Sequence, residues 1–277
     1  MRKFQLLFLT DVTARMPRVA AFGIFFYAIS LCAVARDASH APVLHHEIIA
    51  THPHDTRAFT QGLAILNGQL IESTGRYGQS ALALKNLATG EVIKQRPLSA
   101  HHFGEGVTVA GSRLIQLTWT SGVAWIYDFA LKRRGQFRYD GQGWGLAYDG
   151  QYLLMSDGSS RITFRRPTTF EISGGVDVRD GNEPLRKLNE LEFAEGWLYA
   201  NVWQTDRIAV IDPQSGAVRG WLDLASLRQG MRKPPGWDER EHVLNGIAFN
   251  PANGHFYVTG KCWPVLFELK IEKPAGH

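Results

Sequence analysis

Cysteine is almost missing from this chain, with only Cys32 and Cys262 present. A disulfide-built fold is thereby excluded, because stapled domains need several paired cysteines. Cys32 lies in an N-terminal segment expected to be removed, so Cys262 stands alone, read as a buried inert thiol. The fold must then rest on its apolar core. Helix signals are scarce after that segment. The apolar stretch 19–31 is too short to span a bilayer comfortably. A dominant charge is also lacking. The formal net charge is +4, but Arg2, Lys3, Arg15 and Arg18 lie near the N-terminus. The remainder is near neutral, which gives no case for nucleic-acid binding. His40, His45, His46, His52 and His54 cluster, yet no cysteine or carboxylate stands at metal-like spacing around them. No metal and no cofactor is therefore expected.

The basic N-terminus, the apolar stretch and the small-residue site Ala33-Val34-Ala35 read as a secretory signal. Residues 1–35 are expected to be cleaved, leaving 36–277 as one domain in the periplasm or outside the cell. That domain is expected to be a monomer, unattached to a membrane. Leu31 before Cys32 is too large for a typical lipid-attachment site. The chain is 44% hydrophobic and 20% charged, a globular composition.

Short apolar runs alternate with turns such as Asn67-Gly68, Asp149-Gly150, Glu195-Gly196 and Asn253-Gly254, which are hairpin signals. One pattern recurs five times: Gln61-Gly62-Leu63-Ala64, Glu105-Gly106-Val107-Thr108, Trp144-Gly145-Leu146-Ala147, Asn189-Glu190-Leu191-Glu192 and Asn245-Gly246-Ile247-Ala248. At a constant offset after the first four anchors come Gly75, Trp119, Gly158 and Trp203; a longer turn puts the fifth equivalent at Lys261. Units of roughly 40–50 residues with four strands each are propeller blades. The sequence predicts an all-β, five-bladed propeller of antiparallel blades. The last blade lacks its outermost strand. Residues 43–50 are expected to supply it beside residues 266–271, closing the ring. The segment 225–241 reads as a long loop between blades four and five.

Equivalent blade positions converge on one axis, so both anchor sets should face one end of the central channel. They combine one carboxylate, one lysine, three carboxamides and three tryptophans, an odd mixture for a core. Indole faces provide apolar walls and carboxamides provide directional hydrogen bonds. Burial among indoles should raise the pKa of Glu105 and suit it to proton transfer. Glu190 and Glu192 lie off the anchor position and are read as structural. Asp157 is read as a turn-fixing residue. The Gly-rich run 141–145 heads a strand and is not a phosphate cradle.

The strings Phe59-Thr60-Gln61-Gly62-Leu63, Phe103-Gly104-Glu105-Gly106-Val107, Leu117-Thr118-Trp119, Gly143-Trp144-Gly145, Leu188-Asn189-Glu190-Leu191-Glu192, Asn201-Val202-Trp203 and Thr259-Gly260-Lys261-Cys262-Trp263-Pro264 together resemble the glutamine cyclotransferase family of plants and bacteria. The resemblance runs from about residue 58 to 271. It implies a five-bladed propeller with a metal-independent site at one channel mouth. The implied substrates are peptides or proteins with N-terminal glutamine, converted to pyroglutamate with release of ammonia. By resemblance Glu105 is the acid/base, and Gln61, Asn189 and Lys261 are the other polar catalytic residues. Trp119, Trp144 and Trp203 form the aromatic wall, flanked by Phe59 and Phe103. Two other classes compete: a calcium-dependent propeller hydrolase or lactonase, and a non-enzymatic peptide-binding propeller. Calcium normally takes several carboxylates, whereas the inferred ring offers one, and a lysine that would repel the ion.

Overall fold

The computed structural model describes residues 40–275. The expected signal, residues 1–35, lies outside the described residues. Strand β1 (His46–Pro53) comes first and pairs only with the last strand of the chain. Blade one is β2 (Thr60–Leu66), β3 (Gln69–Thr74), β4 (Ala81–Asn86) and β5 (Val92–Pro97). Blade two is β6 (Gly104–Ala110), β7 (Arg113–Thr118), β8 (Val123–Tyr127) and β9 (Arg133–Arg138). Blade three is β10 (Leu146–Tyr148), β11 (Leu153–Met155), β12 (Arg161–Arg165) and β13 (Ile172–Asp177). A small hairpin follows, β14 (Arg179–Asp180) with β15 (Glu183–Pro184). Blade four is β16 (Leu188–Ala194), β17 (Trp197–Val202), β18 (Arg207–Ile211) and β19 (Val218–Asp223). The short helix α1 (Ala225–Gly230) opens the connector to β20 (Leu244–Asn250), β21 (His255–Gly260) and β22 (Val265–Ile271). With β1 outermost these complete blade five, so the molecule is a five-bladed propeller of four-stranded antiparallel sheets.

The hairpin signals fold as read. Asn67-Gly68 has φ of 52° and 74°, and Glu195-Gly196 has 53° and 88°. Two successive left-handed residues give a turn whose twist matches the strands it joins. The inner strands are apolar on both faces because each blade is packed between two others. Leu63 and Leu70 meet Tyr257 and Leu266 of blade five, while their neighbours Ala64 and Ile71 meet Val107 and Leu114 of blade two. A buried apolar cluster fills each of the five interfaces in this way. Burial on both faces accounts for continuous apolar runs where a half-exposed sheet would alternate.

The closing strand is shifted from the expected 43–50. His46 faces Ile271 and Pro53 faces Val265. Residues 42–44 are held instead by blade four: Trp221 N–H donates to the Pro42 carbonyl at 2.8 Å, and Leu44 N–H donates to the Trp221 carbonyl at 2.8 Å. Leu44 is buried against Gly220, where a Cβ would come within 2.5 Å of its side chain. Asp180 of the small hairpin completes the clasp, accepting from Ala41 N–H at 2.7 Å and Trp221 Nε1 at 3.0 Å. The N-terminal segment thus fastens blade four before it closes blade five.

Candidate active site

The inner strands of four blades share a β-bulge at the first anchor: the register slips between Thr60 and Gly62, Gly104 and Val107, Leu188 and Leu191, and Leu244 and Ile247. Above each bulge the same hydrogen bond recurs. The second-anchor N–H donates to the carbonyl two residues before the first anchor: Gly75 to Phe59 at 2.8 Å, and Trp119 to Phe103, Trp203 to Lys187 and Lys261 to Val243 at 2.9 Å each. A bulge re-aims a side chain, and here it turns anchors toward one mouth of the channel.

The cavity at that mouth has a volume of about 320 Å³. Its wall contains all nine residues singled out from the sequence: Gln61, Glu105, Asn189, Lys261, Trp119, Trp144, Trp203, Phe59 and Phe103. Arg76 and Glu241 also line it. The two glycine anchors make room for aromatic rings. A Cβ on Gly75 would lie 2.2 Å from Phe103 Cε1, and one on Gly158 would lie 2.7 Å from the Trp144 ring. The rings meet edge to face, Phe103 with Trp119 at 5.8 Å and Trp144 with Trp203 at 5.6 Å between centroids.

Glu105 is 4% exposed. Gln61 Nε2 donates to Glu105 Oε1 at 2.9 Å, and Asn245 Nδ2 donates to Gln61 Oε1 at 3.2 Å. Asn245 also donates to the Thr60 carbonyl at 3.0 Å. This chain fixes which way the Gln61 amide points and so which atom it offers Glu105. Burial pushes the Glu105 carboxyl well above the ordinary carboxylate range, partly opposed by the Lys261 charge and the Gln61 hydrogen bond. Burial pulls the Lys261 ammonium down, partly opposed by the charges of Glu105 and Glu241. Lys261 Nζ lies 4.9 Å from the centroid of Phe59. The Asn189 side chain is buried at the cavity wall.

Four supporting positions were not legible from the anchors alone. Gln142 Oε1 accepts from both indoles, Trp119 Nε1 at 2.8 Å and Trp144 Nε1 at 2.9 Å. Ser73 Oγ donates to the Glu105 carbonyl, and Ser156 Oγ donates to the Asn189 carbonyl at 2.6 Å. Asn201 Oδ1 accepts from Gly246 N–H at 2.9 Å, beside Asn245. Ser73, Ser156 and Asn201 are register-equivalent, each two residues before a second anchor. Each reaches the first anchor region of the following blade. That regularity was available in the repeat as a polar residue at a fixed place.

Glu190 bridges three blades, accepting from Leu63 N–H at 3.2 Å and Ile247 N–H at 2.8 Å. Glu192 accepts from Phe249 N–H at 2.9 Å. Neither lines the cavity, in keeping with a structural reading. Asp157 Oδ1 accepts from Ser159 N–H at 2.9 Å and fixes its turn. Among the described residues no group of three or more His, Cys, Asp or Glu could hold a metal ion.

Fold and site define a class: a five-bladed propeller with one acidic group buried in an aromatic cup at its axis. The glutamine cyclotransferase family profile matches residues 23–271. A glutaminyl-peptide cyclotransferase of Arabidopsis thaliana is 40% identical over 235 residues, covering 83% of this chain and 72% of the relative. The crystal structure of Myxococcus xanthus glutaminyl cyclase superposes with a TM-score of 0.76 at 39% identity, covering 83% of this chain and 98% of the other. The chain belongs to the glutamine cyclotransferase family.

Proposed function

We propose that this protein cyclises the N-terminal glutamine of peptides or proteins to pyroglutamate and releases ammonia. The observation that carries the reading is Glu105, buried in the aromatic cup and held by Gln61, with Lys261 and Asn189 on the same wall. The cup folds the glutamine side chain so that its α-amine approaches the γ-carbon, a gain of orientation for groups already tethered. The amine nitrogen attacks, the new C–N bond forms, and the γ-oxygen takes up negative charge. Asn189 Nδ2 and the Lys261 ammonium hold that oxygen. Glu105 accepts the proton released by the amine and delivers it to the γ-nitrogen. The γ-C–N bond then breaks, and ammonia leaves. A carboxyl with a raised pKa suits both transfers near neutral pH.

The reading extends to an exported, monomeric enzyme whose catalysis needs no metal. The test is turnover of a Gln-Ala peptide, followed as pyroglutamate formed and ammonia released, with and without a strong chelator. Equal rates in both arms are expected. A rate lost to the chelator and restored by calcium would replace this mechanism with a metal-dependent one. Binding of the peptide without turnover would leave only a peptide-binding propeller.

A further inference from the structure

The cavity wall carries two charged residues that the reaction above leaves unused, Arg76 and Glu241. Arg76 follows the glycine anchor of blade one in a left-handed conformation, φ 79°. This backbone is clamped, because the Arg76 carbonyl accepts from Gln79 N–H at 3.1 Å, Ser80 N–H at 2.9 Å and Ser80 Oγ at 2.7 Å. The guanidinium lies over the Phe59 ring, 4.5 Å from its centroid. An arginine in this conformation persists only where its surroundings hold it. Glu241 ends the 225–241 connector, its N–H held by Asp238 Oδ1 at 3.2 Å. Its charge reaches Lys261 and opposes the fall in that ammonium's pKa. Among the described residues neither Arg76 nor Glu241 belongs to an ion pair.

Both charges stand on the wall of the cup, within reach of a peptide whose first residue fills it. Arg76 is half-buried and Glu241 is exposed. The less solvated charge interacts more strongly, because water screens the exposed one. Guanidinium also presents a planar set of donors that matches a carboxylate. We infer that Arg76 is a specificity-determining residue that favours an acidic side chain directly after the N-terminal glutamine, with Glu241 as a weaker opposing charge. This rests on the cyclotransferase reading.

The experiment compares kcat/KM for Gln-Asp, Gln-Ala and Gln-Lys peptides. Wild type is expected to prefer Gln-Asp to Gln-Lys by at least about fivefold, shrinking as salt is raised. Arg76→Met, which keeps contact with Phe59, should bring that ratio to one or below. Arg76→Lys should restore part of it, and Glu241→Gln should enlarge it. Wild type that turns over Gln-Ala but treats the two charged peptides alike would overturn this inference and leave the cyclotransferase reading standing. So would a ratio unchanged in Arg76→Met. No turnover of Gln-Ala would overturn both.

Discussion

At the scale of single residues, the site separates groups that meet the substrate from groups that hold them still. Glu105 is the sharpest case. Glu105→Gln keeps the size and the partner Gln61 but cannot relay a proton. Its kcat should fall about 10²–10⁴-fold with a much smaller change in KM. Retention of more than a tenth of the rate would remove Glu105 from the proton path. The Lys261 charge restrains the upward shift of Glu105, so Lys261→Met should raise the Glu105 pKa further. Glu105 must be ionised to accept a proton, so activity is lost as pH falls through its pKa. The acid limb of the kcat/KM profile should therefore move to higher pH in Lys261→Met, whatever the residual rate. A limb that stays in place would show that the two groups do not communicate. Gln142→Leu removes one acceptor from two indoles. At roughly 1 kcal/mol per lost hydrogen bond, KM for a Gln-Ala peptide should rise by no more than about thirtyfold while kcat changes little. A kcat loss with KM intact would mean that the indoles act on chemistry instead of binding.

At the scale of strands, the bulge is the device that matters. The repeat was legible because glycine follows four of the five anchors, with Glu190 the exception, and because a second strand follows at fixed offset. The first four positions of the repeat therefore carried both fold and site. Blade three departs from this plan. Its inner strands are short, β10 and β11 holding three residues each, and Trp144 precedes β10. Gln142, Arg76 and Glu241 escaped the repeat for a physical reason: each reaches the site from a connection between strands, where blades are free to differ. The clasp at residues 42–44 was equally hidden, since backbone pairing with a neighbouring blade leaves little trace in side-chain pattern. Ser156 is the element-level test. It donates to the Asn189 carbonyl and accepts from Gly145 N–H at 2.7 Å. Ser156→Ala leaves buried groups unpaired, at a cost of about 1–3 kcal/mol in stability. Activity should fall with it, while Ser159→Ala, which loses only the bond from Arg161 N–H at 3.0 Å in the turn after it, should cost less stability and leave activity unchanged. A stable, fully active Ser156→Ala would show that the Asn189 backbone holds its place unaided.

At the scale of the whole molecule, two carboxyls of β16 join blade four to other blades, buried Glu190 to blades one and five and half-buried Glu192 to blade five. Burial raises Glu192 to a pKa of about 8 and Glu190 well above its ordinary value. A carboxyl whose pKa is higher in the folded state binds more protons there than when unfolded. Its contribution to stability is then fully present below the unfolded value and declines as pH rises through the folded one. For Glu192 the window runs from the usual 4.5 to about 8. Glu192→Gln should lack this decline, so its Tm relative to wild type should climb across that window. A difference in Tm that is flat with pH would mean that Glu192 titrates normally.

Ring closure joins β1, the first strand of the propeller, to β22, the last. A ribosome releases β1 before any strand of the other blades and β22 after all of them. Until β22 emerges, β1 has no mate and blade five has an open edge, so the incomplete chain offers unpaired backbone to anything nearby. Blades one to four can assemble early from local hairpins, whereas the final lock waits for β22. Synthesis of β22 and completion of the fold are therefore one event. A chain cut before β22 would keep most of its blades and no closed circle, with the backbone of β1 left unpaired.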